Sequence, residues 1–507
     1  MRISKSKFVA GVQCLKRLYL QVHQPELATQ PDAAAEAIIR QGQDVGMLAR
    51  TLFPGGIEVD CSRGLGEAIR VTRELVANRE VPAVFEAVFE HQNVVVKVDI
   101  LHRRRDGRWR LIEVKSTTDA RDHHSEDVAI QHRVVLRSGV DVASACLAHV
   151  NRNYVRGESI DAKRFFRIKN LTRRVQRLQP KLRFQLRSEF SVLEMPQPPE
   201  ISPGRQCTDP VTCEFFDHCN VPRPDDHIGY LPRIHASAME ELEEMGIESI
   251  REIPNDFELT EIQQRAAECV RTGTAWYDHD GLKAQLATLI NPITYLDFET
   301  VNPAIPRFNG THPYQQIPFQ WSAHIQQRPS AEPQHREFLA TNANDSRREF
   351  LTSLFAALPE KGSIVVYNQQ FESARLNELA AALPEFAERF NNIQSRLWDL
   401  LAIMRRHVYH PAFAGSFSLK SVLPALIPTM SYAGLTVACG ADAGLAWESI
   451  TRGNLEQTER DRISKALLDY CRQDTLALVR LVEKLQLTSG WQLSLGSHTD
   501  QNRRRTV

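Results

Sequence analysis

The sequence predicts an α/β protein made of two α/β domains with a helical connector between them. Short β-branched strands alternate with amphipathic helices in residues 1–224 and again in residues 291–487, whereas residues 225–290 are mostly helical in pattern. The length of 507 residues is too great for one hydrophobic core, which agrees with several domains. Residues 488–507 are polar and contain three consecutive arginines, so we expect a disordered tail.

The composition narrows the class of protein. Hydrophobic residues make up 42% of the chain and charged residues 24%, which is ordinary for a globular protein. No apolar run approaches the roughly 20 residues of a membrane-spanning helix, and polar side chains interrupt the basic N-terminal segment, so we expect a cytoplasmic protein without a membrane partner. The 62 basic and 62 acidic residues cancel, but residues 151–187 hold twelve Lys or Arg. This stretch is either a solvated helix face or a track for nucleic-acid phosphates.

The first domain contains a β-hairpin with acidic residues on its strands. The dipeptide Asp106-Gly107 between two strand-like segments is a strong turn signal. Pairing about this turn sets Asp99 opposite Glu113, with Cβ atoms about 5 Å apart, and Glu113 shares a face with Lys115. Converging carboxylates on apolar strands need a cation, which a divalent metal supplies, and a nearby lysine then helps to position or deprotonate water. The alternative is an ordinary cross-strand ion pair on an edge hairpin.

The spacing of Asp99 and Glu113-Val-Lys115 resembles the PD-(D/E)xK signature of RecB-like nucleases. The resemblance implies a restriction-endonuclease-like fold for residues 1–224. It implies that Lys115 is catalytic and that Gln131, on the following helix, lies over the metal site. It also implies three carboxylate ligands for Mg²⁺ or Mn²⁺: Glu86, Asp99 and Glu113.

Four of the nine cysteines form a pattern that indicates a metal centre, because disulfides are improbable in a cytoplasmic chain. One precedes the candidate nuclease core and three follow it at even spacing: Cys14, Cys207, Cys213 and Cys219. This arrangement resembles the 4Fe-4S cluster of CRISPR-associated RecB-like exonucleases and of the AddB group, in which the cluster joins the two ends of the domain. The resemblance implies that these four thiolates bind such a cluster, and a structural zinc site is the alternative. The other five cysteines fit apolar or helical contexts and are predicted to be core residues.

The connector contains a candidate nucleic-acid module. Residues 238–254 read as a helix that ends at Gly246, a short turn, and a second short helix that ends at Pro254. This pattern resembles half of a helix-hairpin-helix DNA-binding module. An ordinary helix pair that bridges two domains is the alternative.

The C-terminal domain opens with a second acidic motif. Asp297 and Glu299 alternate on a predicted strand and therefore project from the same face. Charged residues at alternate positions of an otherwise apolar strand indicate that they bind something. Glu372 follows another predicted strand, near the start of a helix. Tyr470 and Asp474 are four residues apart on a long helical segment and share a face.

These motifs resemble the DEDDy exonucleases of the DnaQ-like, RNase H-like superfamily. The resemblance implies an RNase H-like fold for residues 291–487, a 3′–5′ exonuclease activity, and a role for Tyr470 in orienting the attacking water. It implies four carboxylates for two Mg²⁺ or Mn²⁺ ions: Asp297, Glu299, Glu372 and Asp474. The family usually has an aspartate where Glu372 stands, and Asp399 is an alternative participant.

The order of the motifs resembles a bacterial family of unassigned function that joins these two nuclease modules. We therefore predict a metal-dependent nuclease that cleaves DNA, as single strands or at ends, in repair, recombination or defence. One alternative is a nucleic-acid-binding protein with partly decayed sites, which Glu372, the absent upstream histidine ligand and Val135 in place of a tyrosine favour. Another is an RNA exonuclease activity in the C-terminal domain. Nucleic acid, DNA before RNA, is the predicted partner, and the sequence does not identify a helicase or repair partner.

Overall fold

A computed structural model describes residues 1–220, 224–437, 439–452 and 455–491. The protein is mixed α/β, so the predicted class is confirmed. The chain divides into two units. The N-terminal unit comprises Met1–Pro222 with Asn302–Gln315, and the C-terminal unit comprises Arg223–Val301 with Gln316–Val507.

The N-terminal unit is built on one mixed sheet, which has seven strands within the described part of the chain. The strand order is β2-β3-β4-β5-β6-β7, and β1 pairs with β4 beside this path. The strands are β1 (Ile3–Ser4), β2 (Ile57–Glu58), β3 (Ala83–His91), β4 (Val94–Arg103), β5 (Trp109–Lys115), β6 (Val142–Val150) and β7 (Phe166–Asn170). The helices are α1 (Lys5–Gln13), α2 (Leu15–His23), α3 (Ala33–Arg50), α4 (Leu65–Ala77), α5 (Asp122–Arg137), α6 (Ala162–Phe165), α7 (Thr172–Leu193) and α8 (Phe216–Cys219).

The predicted hairpin is formed by the antiparallel strands β4 and β5. Its turn is closed by a backbone hydrogen bond in which the Arg104 N–H donates to the Arg108 carbonyl at 2.8 Å. Gly107 has a φ of 77°, a left-handed value that glycine adopts without strain. The turn chemistry therefore fixes the register that positions the acidic side chains.

The helices α1, α2, α5 and α7 pack with the sheet around one hydrophobic core. Phe8 and Leu18 come from the first two helices, and Val128 and Leu182 come from α5 and α7. Cys14 separates α1 from α2, because its extended backbone (φ −160°, ψ 122°) interrupts the helix. The first helix packs in this core, and its first residue, Lys5, contacts Glu113 of β5.

The C-terminal unit contains a five-stranded mixed sheet among the described residues, in the order β11-β10-β9-β12-β13, and a two-stranded pair of β8 and β14. The strands are β8 (Trp276–Tyr277), β9 (Ile293–Val301), β10 (Ile317–Gln326), β11 (Gln334–Leu339), β12 (Ile364–Val366), β13 (Leu397–Asp399) and β14 (Val408–Tyr409). The helices are α9 (Ala236–Glu244), α10 (Glu261–Thr272), α11 (His279–Leu286), α12 (Arg347–Ala357), α13 (Gln369–Ala382), α14 (Ala387–Gln394), α15 (Leu400–His407), α16 (Leu419–Leu426), α17 (Gly440–Thr451) and α18 (Gln457–Ser489).

The predicted connector shares a core with the C-terminal unit. Leu242 of α9 and Val270 of α10 belong to the same apolar cluster as Leu478 of α18. Gly246 follows α9 with a φ of 75°, as expected for a helix stop, but the predicted second short helix is a 3₁₀ turn at Ile250–Glu252. The local pattern identified the stop, whereas it did not show that these residues belong to a larger core, which also includes residues of α18.

Three boundaries differ in detail from the predicted domains. Residues 302–315, predicted to lie in the C-terminal domain, are grouped with the N-terminal unit. The helix α18 continues to Ser489, so it includes the first two residues of the predicted tail, and residues 492–507 of that tail lie outside the described residues. The boundary predicted between residues 224 and 225 lies two residues after the division between the units. Among the described residues, none of the helices combines the length and apolar character that crossing a membrane requires.

Candidate active sites

The register of the hairpin brings the first two predicted acidic residues together. Ile100 pairs with Ile112 across β4 and β5, and continuing this register sets Asp99 opposite Glu113. The Asp99 carboxylate accepts a hydrogen bond from the Val114 N–H at 2.7 Å, while Glu113 is almost completely buried. Both carboxylates therefore lie at the same edge of the hairpin.

Two lysines contact the acidic residues of this site. The Lys5 Nζ, from the first residue of α1, lies 2.8 Å from Glu113 Oε1 and 3.5 Å from Asp127 Oδ1. The Lys115 Nζ, from the end of β5, lies 2.7 Å from the same Glu113 oxygen and 2.5 Å from Asp127 Oδ2. The four side chains form a ring in which two ammonium groups alternate with two carboxylates. We call this set, Lys5, Glu113, Lys115 and Asp127, the ion-pair ring.

The other two predicted residues of this site differ in their surroundings. Gln131, on α5, donates through Nε2 to Glu113 Oε2 at 2.7 Å, so it contacts the ion-pair ring directly. Glu86 lies opposite Asp99 in the register of β3 and β4, but its carboxylate pairs with Arg50 at 2.8 Å and with Lys97 at 2.6 Å. Its φ of 54° is a left-handed value that departs from a regular strand. Glu86 is thus a neighbour of the site whose charge is already matched.

The charges of the site shift its titration in opposite directions. Burial together with the Glu113 charge raises the pKa of Asp99 to about 8. Burial alone would also raise the pKa of Glu113, but the Lys5 and Lys115 ammonium groups lower it well below its usual range. Burial and the Glu113 charge raise the pKa of Asp127. The site therefore contains one carboxyl that the lysines hold ionised, Glu113, and two carboxyls whose pKa values are raised, Asp99 and Asp127.

Sequence reasoning did not identify Lys5 or Asp127 as members of this site. Asp127 carried a local signal, since it precedes Gln131 by four residues and shares its helix face. Lys5 carried none, because it lies 108 residues from Glu113 in a segment where basic residues are common. Such a contact depends on the packing of α1, which no local pattern specifies.

The four predicted cluster cysteines line one cavity of the N-terminal unit: Cys14, Cys207, Cys213 and Cys219. Cys14 stands at the α1–α2 junction, and the other three lie in the segment after α7. The Phe215 N–H points at Cys213 Sγ, 3.4 Å away. Four thiols that converge from distant parts of the chain, with an N–H donor directed at one sulfur, fit the ligand set of an iron-sulfur or zinc centre.

The remaining five cysteines are not uniformly core residues. Cys146, Cys269 and Cys471 are buried as predicted, but Cys61 is exposed and Cys439 is half-buried. Cys439 precedes α17, where its sulfur accepts from the Asp442 N–H. The prediction is therefore wrong for Cys61 and Cys439, because the sequence contexts that suggested burial are a surface turn and a helix start.

The second acidic motif is assembled from one strand and two helices. Asp297 and Glu299 project from the central strand β9, Glu372 lies in the first turn of α13, and Tyr470 and Asp474 lie on α18. Glu299, Glu372, Tyr470 and Asp474 are buried, and Asp297 is half-buried. The charges of the other three carboxylates raise the pKa of Asp297, which indicates that all four lie near one another.

Two further side chains belong to this carboxylate cluster. The Cys471 sulfur lies 3.7 Å from Asp297 Oδ2, and ligand atoms of Asp297, Glu299 and Cys471 all lie within 4.8 Å of one another. The Tyr432 hydroxyl donates to Asp474 Oδ1 at 2.5 Å. The sequence contained a signal for Cys471, which precedes Asp474 by three residues on the same helix face. Tyr432 lies in an irregular segment, so only the tertiary structure reveals it.

Burial and mutual repulsion shift the titration of this cluster in one direction. Burial raises the pKa of Asp297 well above its usual value, and the charges of its acidic neighbours raise it further. Burial raises the pKa of Glu299 to about 8, with a contribution from Asp474. The pKa of Glu372 is raised to about 8 and that of Asp474 to about 6, mainly by burial. Without a cation the cluster therefore retains protons near neutral pH.

Glu372 and Asp399, the two candidates for the fourth carboxylate, have different surroundings, although the charge of Asp399 also raises the pKa of Glu372. The charge of Glu372 raises the pKa of Asp297. The Glu372 Oε2 atom has no hydrogen-bond partner among the described residues. Asp399 instead precedes α15, where its side chain accepts from the Ala402 N–H at 3.2 Å. A helix-capping role accounts for Asp399, whereas the buried Glu372 oxygen is left without one.

Comparisons with known proteins find similarity over part of the chain. Residues 294–418 match the family model "Domain of unknown function (DUF2779)". An uncharacterized protein of Mycoplasma pneumoniae is 26% identical over 233 residues, which are 41% of this chain and 35% of that protein. An uncharacterized protein of Mycoplasma genitalium is 26% identical over 211 residues, 38% of this chain and 32% of that protein. An uncharacterized protein of Ureaplasma parvum is 28% identical over 151 residues, 27% of this chain and 21% of that protein.

The matched regions are partial on both sides. The chain spans 21% to 35% of the length of these curated relatives. The family match includes Asp297, Glu299 and Glu372 but ends before Asp474. The similarities therefore support a shared domain, and they carry no activity from one protein to another.

Replacement of Lys5 by methionine tests the ion-pair ring. We expect a lower thermal midpoint in EDTA, because removing one partner of a buried ion pair leaves carboxylates uncompensated at a cost of about 3–5 kcal/mol. Millimolar Mg²⁺ or Mn²⁺ should reduce the deficit, since a divalent cation replaces the missing ammonium group. Calorimetry of Lys5→Met beside Lys7→Met, a control on the same helix, checks this. A deficit that is equal with and without metal would contradict the prediction.

The raised pKa values of the carboxylate cluster predict that Mn²⁺ binding strengthens with pH. Glu299 and Glu372, with pKa values of about 8, must lose protons before they act as ligands. Each proton released gives about a tenfold gain in affinity per pH unit over this range. Titrations followed by electron paramagnetic resonance at pH 6 and pH 8 should show at least a tenfold gain. Asp297→Asn, which removes a ligand of the same cluster, should weaken Mn²⁺ binding at both pH values, and equal affinities of the unaltered protein at both pH values would refute the assignment.

Proposed function

We propose that this protein is a metal-dependent nuclease with two candidate sites. The observation that carries the proposal is the convergence of four carboxylates from β9, α13 and α18: Asp297, Glu299, Glu372 and Asp474. Like charges are buried together at a high energetic cost unless cations join them. Carboxylate clusters that hold divalent cations are a common basis of phosphodiester hydrolysis.

The finer fold assignment belongs to the same proposal. An RNase H-like C-terminal unit is supported by the position of Asp297 and Glu299 on the central strand of the five-stranded sheet. A restriction-endonuclease-like N-terminal unit is supported by the pairing of Asp99 with Glu113 and by Lys115 two residues further along β5. In both units the order of the residues along the chain is that of the families the sequence resembles.

The side chains of the carboxylate cluster have separate tasks in this proposal. Asp297, Glu299 and Asp474 would hold Mg²⁺ or Mn²⁺, which supply Lewis-acid stabilisation of the phosphate and lower the pKa of water when bound. Tyr432 donates to Asp474 and so fixes the orientation of that carboxylate. Tyr470, on the same helix as Asp474, would orient the attacking water.

A lysine adds positive charge beside the cluster. The Lys420 Nζ lies 5.8 Å from the ring centre of Tyr432 and 5.9 Å from that of Tyr470. Its charge also acts on Glu299 and Asp474 and lowers their pKa values in part. We infer that Lys420 stabilises the negative charge that a phosphate group brings to the site.

The N-terminal site would need fewer divalent cations than the C-terminal site, because two lysines already contact Glu113. Asp99 and Glu113 would hold a divalent cation, and Gln131 orients Glu113 through its hydrogen bond. Lys115 lies close enough to Glu113 to position the attacking water. Lys5 supplies a second fixed positive charge, which would stabilise negative charge on the phosphate.

The cysteine cluster would connect the first helix to the end of the N-terminal unit. Cys14, Cys207, Cys213 and Cys219 would hold a 4Fe-4S cluster, and zinc is the alternative. Since Cys14 follows α1 directly, the centre would also fix the helix that carries Lys5. The cysteines would therefore stabilise the ion-pair ring from a distance.

The ion-pair ring also supports a second candidate function. Lys5 and Lys115 neutralise Glu113 and Asp127 without any metal. An N-terminal unit that is stable in this state would serve to bind nucleic acid, with cleavage left to the C-terminal site. DNA is the preferred substrate in either case, in repair, recombination or defence, and RNA is the alternative.

Cleavage of end-labelled single strands tests the proposed function. The anaerobically purified protein should degrade DNA with Mg²⁺ or Mn²⁺, and we expect Asp297→Asn to reduce one cleavage activity by at least about 100-fold, because it removes a metal ligand. Asp99→Asn should abolish a different cleavage pattern if both sites are active. Asp106→Asn, at the exposed hairpin turn, is the control. Parallel RNA substrates decide between the two polymers.

The outcomes of this assay separate the proposals. Loss of distinct activities in the two variants supports two nuclease sites. Loss only in Asp297→Asn supports the second candidate function of the N-terminal unit. Absence of cleavage on every substrate, or cleavage that neither variant changes, would overturn the nuclease proposal.

Metal analysis tests the cysteine assignment. We expect about four iron atoms and four sulfides per chain after anaerobic purification, because four thiolates bind a 4Fe-4S cluster. Cys14→Ala and Cys207→Ala should each lose most of the iron, whereas Cys146→Ala, which changes a buried cysteine outside the cavity, should retain it. Stoichiometric zinc in place of iron would establish the zinc alternative and refute the cluster.

A further inference from the structure

A cleft on the N-terminal unit has a composition that the two candidate sites do not explain. It has a volume of about 910 Å³ and lies between α5, α7 and the β3–β4 turn. Four arginines line it, Arg133 and Arg137 from α5, and Arg183 and Arg187 from α7. Each pair is four residues apart and therefore presents both guanidinium groups on one helix face. We call this feature the arginine cleft.

The arginine cleft keeps its positive charge. Among the described residues, none of the four guanidinium groups forms an ion pair, and Glu194 is the one acidic residue that lines the cleft. Two other cations of α7 are paired, Arg174 with Asp122 at 2.9 Å and Lys181 with Glu126 at 2.7 Å. The arginines that α7 contributes to the cleft differ from these two in having no ion-pair partner among the described residues.

Three of the four charges lie close enough to affect one another. Burial and the charges of Arg137 and Arg183 lower the pKa of Arg133. Packing of α5 against α7 holds these groups together despite the repulsion. An anion between them would remove this penalty, and guanidinium groups match phosphate oxygens in pairs.

An exposed aromatic ring lies beside the cleft on α7. Phe184 is 67% exposed, and it is flanked by Arg183 and lies three residues before Arg187. An exposed ring among cations on a helix surface gains nothing from packing within the unit. Aromatic rings next to a basic groove are the feature on which unpaired bases stack in single-strand binding. Base-paired DNA does not offer such a face, so the ring favours a single strand.

The geometry points to the arginine cleft as the binding site for the phosphodiester backbone of a single-stranded nucleic acid, with a base stacked on Phe184. The cleft and the N-terminal site share α5, which carries Asp127 and Gln131 in its middle turns and Arg137 at its end. At 1.5 Å per residue, Arg137 lies about 15 Å along the helix from Asp127. The cleft would therefore hold the part of the strand beyond the bond to be cut. This last assignment rests on the proposed nuclease function, whereas binding itself does not.

Binding measurements in EDTA test the site without any cleavage. Fluorescence anisotropy of a labelled 20-nucleotide thymidine strand should show at least tenfold weaker binding for Arg183→Ala/Arg187→Ala near 100 mM salt. For this variant the slope of log affinity against log salt concentration should be smaller in magnitude by about 1.4, because two phosphate contacts are lost and each contributes about 0.7 on a single strand. Arg174→Ala/Lys181→Ala, on the same helix, should stay within twofold of the unaltered protein. Circular dichroism melts verify that the variants are folded.

Two further variants identify the ligand. Phe184→Ala should weaken binding at least fivefold without changing the salt slope, since a stacked base contributes no counterion release. Arg133→Ala/Arg137→Ala should reproduce the loss seen for the α7 pair. A duplex of equal length should bind more weakly than the single strand and be insensitive to Phe184→Ala.

The opposite results would overturn the inference. Unchanged affinity in both arginine double variants would exclude the cleft as a binding site. Preferred binding of the duplex, or displacement of the strand by equimolar pyrophosphate, would show that the site takes another phosphate ligand. Because these measurements need no catalysis, a failed cleavage assay with intact cleft-dependent binding would refute the proposed function and leave the binding site standing.

Discussion

The balance of charge around buried carboxylates is the constraint on which both candidate sites depend. In the N-terminal unit Glu113 meets two ammonium groups, so a strongly acidic position is compensated from within the protein. In the C-terminal unit Asp297 meets other carboxylates, and burial raises their pKa values together. In the N-terminal site the lysines compensate Glu113 but not Asp99, whose pKa is raised to about 8. In the C-terminal site no such ammonium pair meets the carboxylates among the described residues, and burial favours their protonated forms.

The N-terminal helix has an importance that its length does not suggest. It begins with Lys5, which closes the ion-pair ring, and ends before Cys14, which lines the cysteine cavity. Phe8 between them is fully buried in the core of the unit. A rigid element of nine residues therefore joins two features whose other members come from distant parts of the chain. A change in the position of this helix would therefore affect both the cysteine cavity and the ion-pair ring.

Local patterns predicted the parts of the fold that local chemistry determines. The Asp106-Gly107 turn set the hairpin register, and the four-residue spacing of Tyr470 and Asp474 gave a common helix face, which the structure reproduces. Side chains that reach a site from elsewhere were beyond such reasoning. Lys5 and Tyr432 contact their acidic partners through tertiary packing over 108 and 42 residues. The predicted second helix of the connector is a 3₁₀ turn whose Ile250 is buried in the core of the C-terminal unit, so tertiary burial that the local pattern does not show accompanies this difference.

Residues 302–315 give the protein an unusual covalent topology. The segment leaves β9, joins the core of the N-terminal unit through Ala304, and returns to β10; its Tyr314 hydroxyl donates to the Ser116 carbonyl. The backbone consequently passes between the units at three places instead of one. A protease that cuts between residues 222 and 223 would leave both halves tethered by the other two passages. For the same reason a single breakpoint in the gene cannot separate the two units whole.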